Sequence, residues 1–183
     1  MKHSHFLISF LLISSLAFAQ KKTTTSAIII FDATTKIDKL PKAENRAVVA
    51  AIHTKKGTVQ FEAPIKNFSF SNPKIMEHFN QKGWMNSEEF PVAIFSGVLS
   101  DVNAINFRKK GTYQSSVTGD LTIRGKTNKI TAPVTFEIDN DNMILANCSF
   151  TIKLADYGID GPAVGAGKVS SEPKISVKAE FKQ

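Results

Sequence analysis

Residues 111–124 read GTYQSSVTGDLTIR. Tyr113, Ser115, Val117, Gly119, Leu121 and Ile123 occupy every second position, and Gln114, Ser116, Thr118, Asp120, Thr122 and Arg124 lie between them. A helix repeats every 3.6 residues and would scatter the apolar set around its circumference, whereas a strand puts it on one face. The segment is therefore a strand with one face turned to a core. After a turn at Gly125 the alternation resumes with Ile130, Ala132, Val134, Phe136 and Ile138. Asp139-Asn140-Asp141-Asn142 follows, a turn by composition, because Asp and Asn side chains bond to nearby backbone N–H groups. A third strand points Ile144, Ala146, Cys148, Phe150 and Ile152 inward, and a last one carries Ile175, Val177, Ala179 and Phe181. Four such strands in succession predict an antiparallel meander with short turns.

The N-terminal half is less regular. Residues 27–33 form an apolar, β-branched strand. Residues 46–53 offer Val48, Ala50 and Ile52, and Val59, Phe61, Ala63 and Ile65 share a face of the next strand. Pro64 suggests an edge or a bulge there, since it has no N–H to give a ladder. Residues 90–99 are apolar on both faces, which predicts a cover over the outer side. About eight strands result, the number whose closed barrel is either just filled by side chains or holds one small ligand. One segment breaks the period. Asn72-Pro73 reads as an N-cap with proline in the first turn, and Ile75, Met76 and Phe79 share a helical face up to Gly83. The fold class expected is all-β: an eight-stranded antiparallel barrel with one short helix over residues 73–81.

Residues 1–19 begin with Lys2, run apolar from Phe6 to Leu16 and end in Ala17-Phe18-Ala19, a small-x-small cleavage pattern. That is the layout of a secretory signal, too short to span a bilayer. The expectation is cleavage after Ala19, one domain over residues 20–183, and a soluble protein in the periplasm or another extracytoplasmic space. Cys148 is the only cysteine, which excludes an internal disulfide and a Cys-rich zinc module. The formal charge is +7, with Lys2 inside the leader. The remaining lysines stand singly or in pairs at turns and read as a basic, solvated surface. Transient contact with anionic membrane headgroups is the functional alternative, and nucleic acid is not a partner of an exported chain.

Side chains that could do chemistry are sparse. His53 ends a strand, and His78 has no second ligand at helical spacing, so neither is assigned to a metal or a proton transfer. Cys148 reads as a small core hydrophobe, not an activated thiolate. Asp120, Asp156 and Asp160 form no spaced pair. The stretch Gly161-Pro162-Ala163-Val164-Gly165-Ala166-Gly167-Lys168 fails as a phosphate loop, because Val169 stands where a magnesium-binding hydroxyl belongs. It reads as a loop at the barrel mouth. No cofactor, no metal and no catalytic residue are predicted, and the protein is not expected to be an enzyme.

Four segments together resemble the YceI-like family of exported barrels. They are Phe79-Asn80 through the EEFPVAIF run ending at Phe95, Gly119-Asp120-Leu121-Thr122-Ile123-Arg124-Gly125-Lys126-Thr127, Pro133 to Phe136, and Asp156-Tyr157-Gly158-Ile159. The likeness extends from about Ala27 to Phe181. Two features of the family pattern are absent: a tryptophan near the first strand, and an Arg-Asp pair where Met76-Glu77-His78-Phe79-Asn80 stands. The resemblance implies a lipocalin-like barrel that holds a long-chain, polyisoprenoid-type lipid in an elongated apolar cavity, as carrier or store. On residues alone, small inward positions such as Ala63, Gly119, Ala132, Ala146 and Ala179 fit either a cavity or a core in which small mates with large; the resemblance implies the cavity. The residues expected against the lipid are Phe31, Phe61, Phe68, Phe79, Phe95, Tyr113, Phe136, Phe150 and Tyr157. Phe136 and Phe150 are placed mid-tunnel, and Tyr113, Tyr157 or Asn67 at a headgroup. The competing readings are a packed barrel that binds another protein through residues 68–79, and a hydrolase or isomerase, which lacks a base and a nucleophile.

Overall fold

The computed structural model describes residues 20–141 and 143–182. The leader expected over residues 1–19 lies outside the described residues. The chain runs β1 (Lys21–Asp32), β2 (Lys42–His53), β3 (Thr58–Pro64), β4 (Ser69–Phe70), α1 (Pro73–Asn80), β5 (Val92–Leu99), β6 (Gly111–Ile123), β7 (Lys126–Ile138), β8 (Ile144–Thr151), α2 (Pro162–Gly165) and β9 (Lys174–Phe181). The sheet order is β1-β9-β8-β7-β6-β5-β3-β2, and β1 pairs again with β2. That second pairing closes an eight-stranded antiparallel ring. The two-residue β4 adds to β2 outside it, with Ala43 opposite Phe70. Closure leaves no long free edge to recruit another chain.

The deciding hairpin is as read. Gly111 faces Ile138, and the register holds without a slip to Ile123 opposite Lys126. Arg124 and Gly125 form the two-residue loop at φ 50° and 71°, the twist a tight antiparallel hairpin needs. The turn after β7 is held by Asp139 Oδ1, which accepts the N–H of Asp141 at 2.9 Å and of Met143 at 2.8 Å.

Three expectations about the strands change. β1 begins at Lys21, before the apolar run, because its polar first half pairs with the end of β2 across two register shifts. β5 is not covered: Ile94 and Val98 are 45% and 49% exposed on the outer wall. Its outward apolar positions reflect β-propensity on a solvated face. β8 and β9 are joined not by a short turn but by residues 152–173, which include a 3-10 turn over Leu154–Tyr157 and α2. Pro64 sits at the last position of β3, past the four residues that pair with β2, so its missing N–H costs that ladder nothing.

Strand direction sorts the connections into two ends. Residues 54–57, 100–110, 139–141 and 143 cap one, where Ile105 and Phe107 are buried and Phe107 meets Phe136 edge-on at 5.4 Å. Residues 33–41, 65–91 and 152–173 cover the other, the loop end. There Asn72 caps α1 by accepting the Lys74 N–H at 2.9 Å. An eight-residue helix is unstable alone. It is held by Phe79, whose ring lies 5.0–5.9 Å from those of Phe70, Phe68 and Phe31. Ile75 is only half-buried and Met76 is exposed, so the helix touches the core through one residue and not three.

Candidate functional site

The inward faces of the strands do not fill the barrel. They surround a cavity of about 150 Å³ that opens toward solvent. Every lining side chain is apolar, Cys148 and Met85 contributing the only heteroatoms. Phe136 and Phe181 line it toward the capped end, and Phe68, Phe79 and Ile159 toward the loop end. Such a space offers water no partner, so it stays dry or takes an apolar guest.

Seven of the nine aromatic residues singled out from sequence line this cavity: Phe31, Phe61, Phe68, Phe79, Phe95, Phe136 and Phe150. Their distribution differs from the expectation in one respect. Phe136 pairs with Ala146 near the capped end, whereas Phe150 pairs with Ile175 toward the loop end, so the two stand apart and not side by side. Tyr113 and Tyr157 are not in the wall. Tyr113 is half-buried at the capped end, packed against the core, and its hydroxyl donates to the Lys109 carbonyl at 3.1 Å. Tyr157 is buried in the 3-10 turn beside Asn128 and Asp156, where desolvation pushes its phenol above the usual value. Asn67 is exposed.

The small inward residues divide in the same way. Ala63, Ala132 and Ala146 open onto the cavity, but Ala179 and Gly119 do not. Gly119 faces Gly97 across the ladder, and the Phe95 ring lies over both. A β-carbon on Gly119 would collide with the Ser96 carbonyl and the Gly97 backbone, so that glycine admits a close strand and a ring, not a ligand. Cys148 is half-buried in the wall, and desolvation raises its thiol to about 11, which keeps it protonated.

Lining residues missed in sequence reading lie where no period exists to reveal them, such as Met85 and Ile159 in the connections that cover the loop end. The other missed residue is Arg124. From its turn position the guanidinium reaches two carbonyls, donating from Nη1 to Gly158 and from Nη2 to Lys82 at 2.9 Å. One side chain thus ties the β6–β7 turn to both long coverings of the loop end. His53 Nδ1 accepts the Lys56 N–H at 3.2 Å, and His78 stands exposed on α1. Among the described residues no three His, Cys, Asp or Glu side chains converge to hold a metal.

Residues 13–181 match the YceI-like domain. The chain belongs to the YceI-like family. Among solved members of this shape, Burkholderia cenocepacia BcnA superposes with a TM-score of 0.72 at 18% identity, covering 86% of this chain and 96% of that one. A polyisoprenoid binding domain from Saccharophagus degradans, implicated in plant cell wall breakdown, gives 0.74 at 13% identity, with coverage of 89% and 98%. The Campylobacter jejuni YceI protein gives 0.55 at 15% identity, with coverage of 100% and 94%. At these identities the likeness carries the fold. No curated protein matches the chain in sequence. Within the YceI-like barrel, the Arg124-Gly125 turn and the Asp156–Ile159 segment singled out in the sequence meet through the Arg124 bond to Gly158.

Proposed function

We propose that this YceI-like protein binds one long apolar lipid of the polyisoprenoid type inside its barrel, as carrier or store, and catalyses no reaction. The observation that carries this reading is the cavity wall, apolar along its whole length. Burying each methylene equivalent of a guest contributes roughly 0.8 kcal/mol, so a chain of many carbons is held without a polar anchor. The polyisoprenoid binding domain from Saccharophagus degradans shares the shape at 13% identity, which supports isoprenoid as the first guest class to test. The secretory pattern of residues 1–19 supports an extracytoplasmic place for this binding.

The reading as a protein-binding module draws less support. Its aromatic anchors, Phe68 and Phe79, face inward and are each 7% exposed.

The decisive experiment is to purify the protein from its own host, extract it with organic solvent and identify the released molecules by mass spectrometry. A near-stoichiometric isoprenoid or other long chain is expected. A protein that yields none, and takes up no polyprenol when stripped and reloaded, would end this reading. Intact-mass measurement of the exported chain tests cleavage after Ala19; a start beyond Lys21 would cut into β1 and contradict it.

A further inference from the structure

We propose that the loop joining β1 to β2, residues 34–41, docks the barrel on an anionic lipid bilayer, with Ile37 and Leu40 entering the acyl boundary. The proposal rests on the lipid-carrier reading for its purpose, not for its geometry. Ile37 is 72% exposed, the most of any large apolar side chain described, and Leu40 is 46% exposed. Left in water, both cost hydrophobic free energy that burial would recover. The loop is nonetheless ordered. Asp32 accepts from the Thr34 hydroxyl at 2.8 Å and pairs with Lys42 at 3.2 Å, while Thr35 N and the Asp38 carbonyl close a turn at 2.8 Å. Ile37 is therefore presented by a built tip and not by a slack strand of chain.

Charge names the occupant. Lys36 precedes Ile37, Lys39 precedes Leu40, and Lys168 follows Gly167, over which Ile37 Cδ1 lies. The one acid in the loop, Asp38, turns a carboxylate oxygen to the Leu40 N–H at 2.8 Å. Apolar tips with lysines beside them fit the boundary of an anionic bilayer, where the ammonium heads stay with phosphate while the chains sink.

The position gives docking a use. The loop grows from Phe31, which lines the cavity and packs on Phe79 of α1 at 5.9 Å. Its other contact runs to the β8–β9 covering, where the Ala33 carbonyl accepts the Ser170 N–H at 2.9 Å. Inserting the tip thus pulls on both elements that roof the cavity, at the end away from Phe107. A lipid would pass between bilayer and barrel without crossing water.

The test is co-sedimentation of the full mature protein with vesicles of phosphatidylglycerol and phosphatidylethanolamine, against vesicles of phosphatidylcholine alone. Binding is expected to the anionic vesicles only. Ile37→Asp should weaken it at least tenfold. Lys36→Gln with Lys39→Gln should weaken it by roughly fivefold for each lysine. Val98→Ser, apolar and about as exposed as Leu40 but on the barrel wall, should leave it unchanged. Equal binding by wild type and Ile37→Asp, or none by wild type, overturns the proposal. So does self-association that Ile37→Asp abolishes, which would make the patch an interface with a second copy. The two readings fail separately. Vesicle binding as expected by a barrel that takes up no polyprenol would leave the dock and remove the cargo, and polyprenol uptake without vesicle binding would do the reverse.

Discussion

Cys148 shows how much one side chain reports on the interior. It stands between Ala146 and Phe150 on the inward phase of β8 and lines the cavity, and burial raises its thiol to about 11. Because only the thiolate reacts, alkylation of the native protein by a polar reagent at neutral pH should be much slower than that of the unfolded chain. Its rate should go on climbing until the pH nears about 11. The same shift sets a sign for stability. The folded state binds the thiol proton more tightly than the unfolded state, so this contribution is intact below the usual value of 9.0 and is lost as pH rises toward about 11. Cys148→Ala should make the alkaline fall in stability shallower over that interval, read from urea midpoints at successive pH values. Labelling at wild-type unfolded rates would place Cys148 outside the wall.

At the level of elements, the strands of the barrel and the helix of one covering, with its Asn72 cap and inward Phe79, were legible, and the rest of the coverings was not. β6 and β7 alternate without a slip over the whole hairpin, and a period of two is visible in any such run. The coverings have no period. Met85, Leu154 and Ile159 reach the cavity from turns, and Arg124 does its work because its backbone occupies positive φ, which composition does not disclose. Arg124→Gly keeps the turn conformation and removes both bonds to the coverings. It should speed release of a bound fluorescent fatty chain while lowering stability by about 1–3 kcal/mol. Unchanged release kinetics would mean that exchange does not pass the loop end. On residues alone the small inward positions fitted either room for a ligand or a mate for a large side chain, and Gly119 is of the second kind, because sequence shows the missing side chain but not the Phe95 ring that fills its place. Gly119→Ala should therefore cost about 3 kcal/mol or more, since the added carbon meets backbone on both sides. Gly83→Ala, with open space around it, is the neutral reference in the same denaturation series.

For the whole molecule, the question is whether the barrel is hollow in solution, and substitutions that add volume answer it better than those that remove it. A Phe→Ala change enlarges any interior, and both a packed core and a cavity wall lose contacts. Adding carbons separates the cases. Ala132 and Ala179 are each 1% exposed on inward phases of neighbouring parts of the wall, but only Ala132 borders the cavity. Ala132→Leu places its new carbons in empty apolar space. It should leave apo stability unchanged or raise it by about 1–2 kcal/mol, because burial is gained with no atom displaced. Ala179→Leu has nowhere to go and should cost about 1–3 kcal/mol from overpacking. The ligand reverses the order. Ala132→Leu shortens the space for a chain and should shift uptake toward shorter polyprenols or weaken it about tenfold, whereas Ala179→Leu that remains folded should retain the wild-type preference. Urea unfolding of stripped protein, followed by reloading with polyprenols of graded length, reads both effects. If the two substitutions destabilise equally and neither changes uptake, the interior has closed on itself and the guest lies elsewhere.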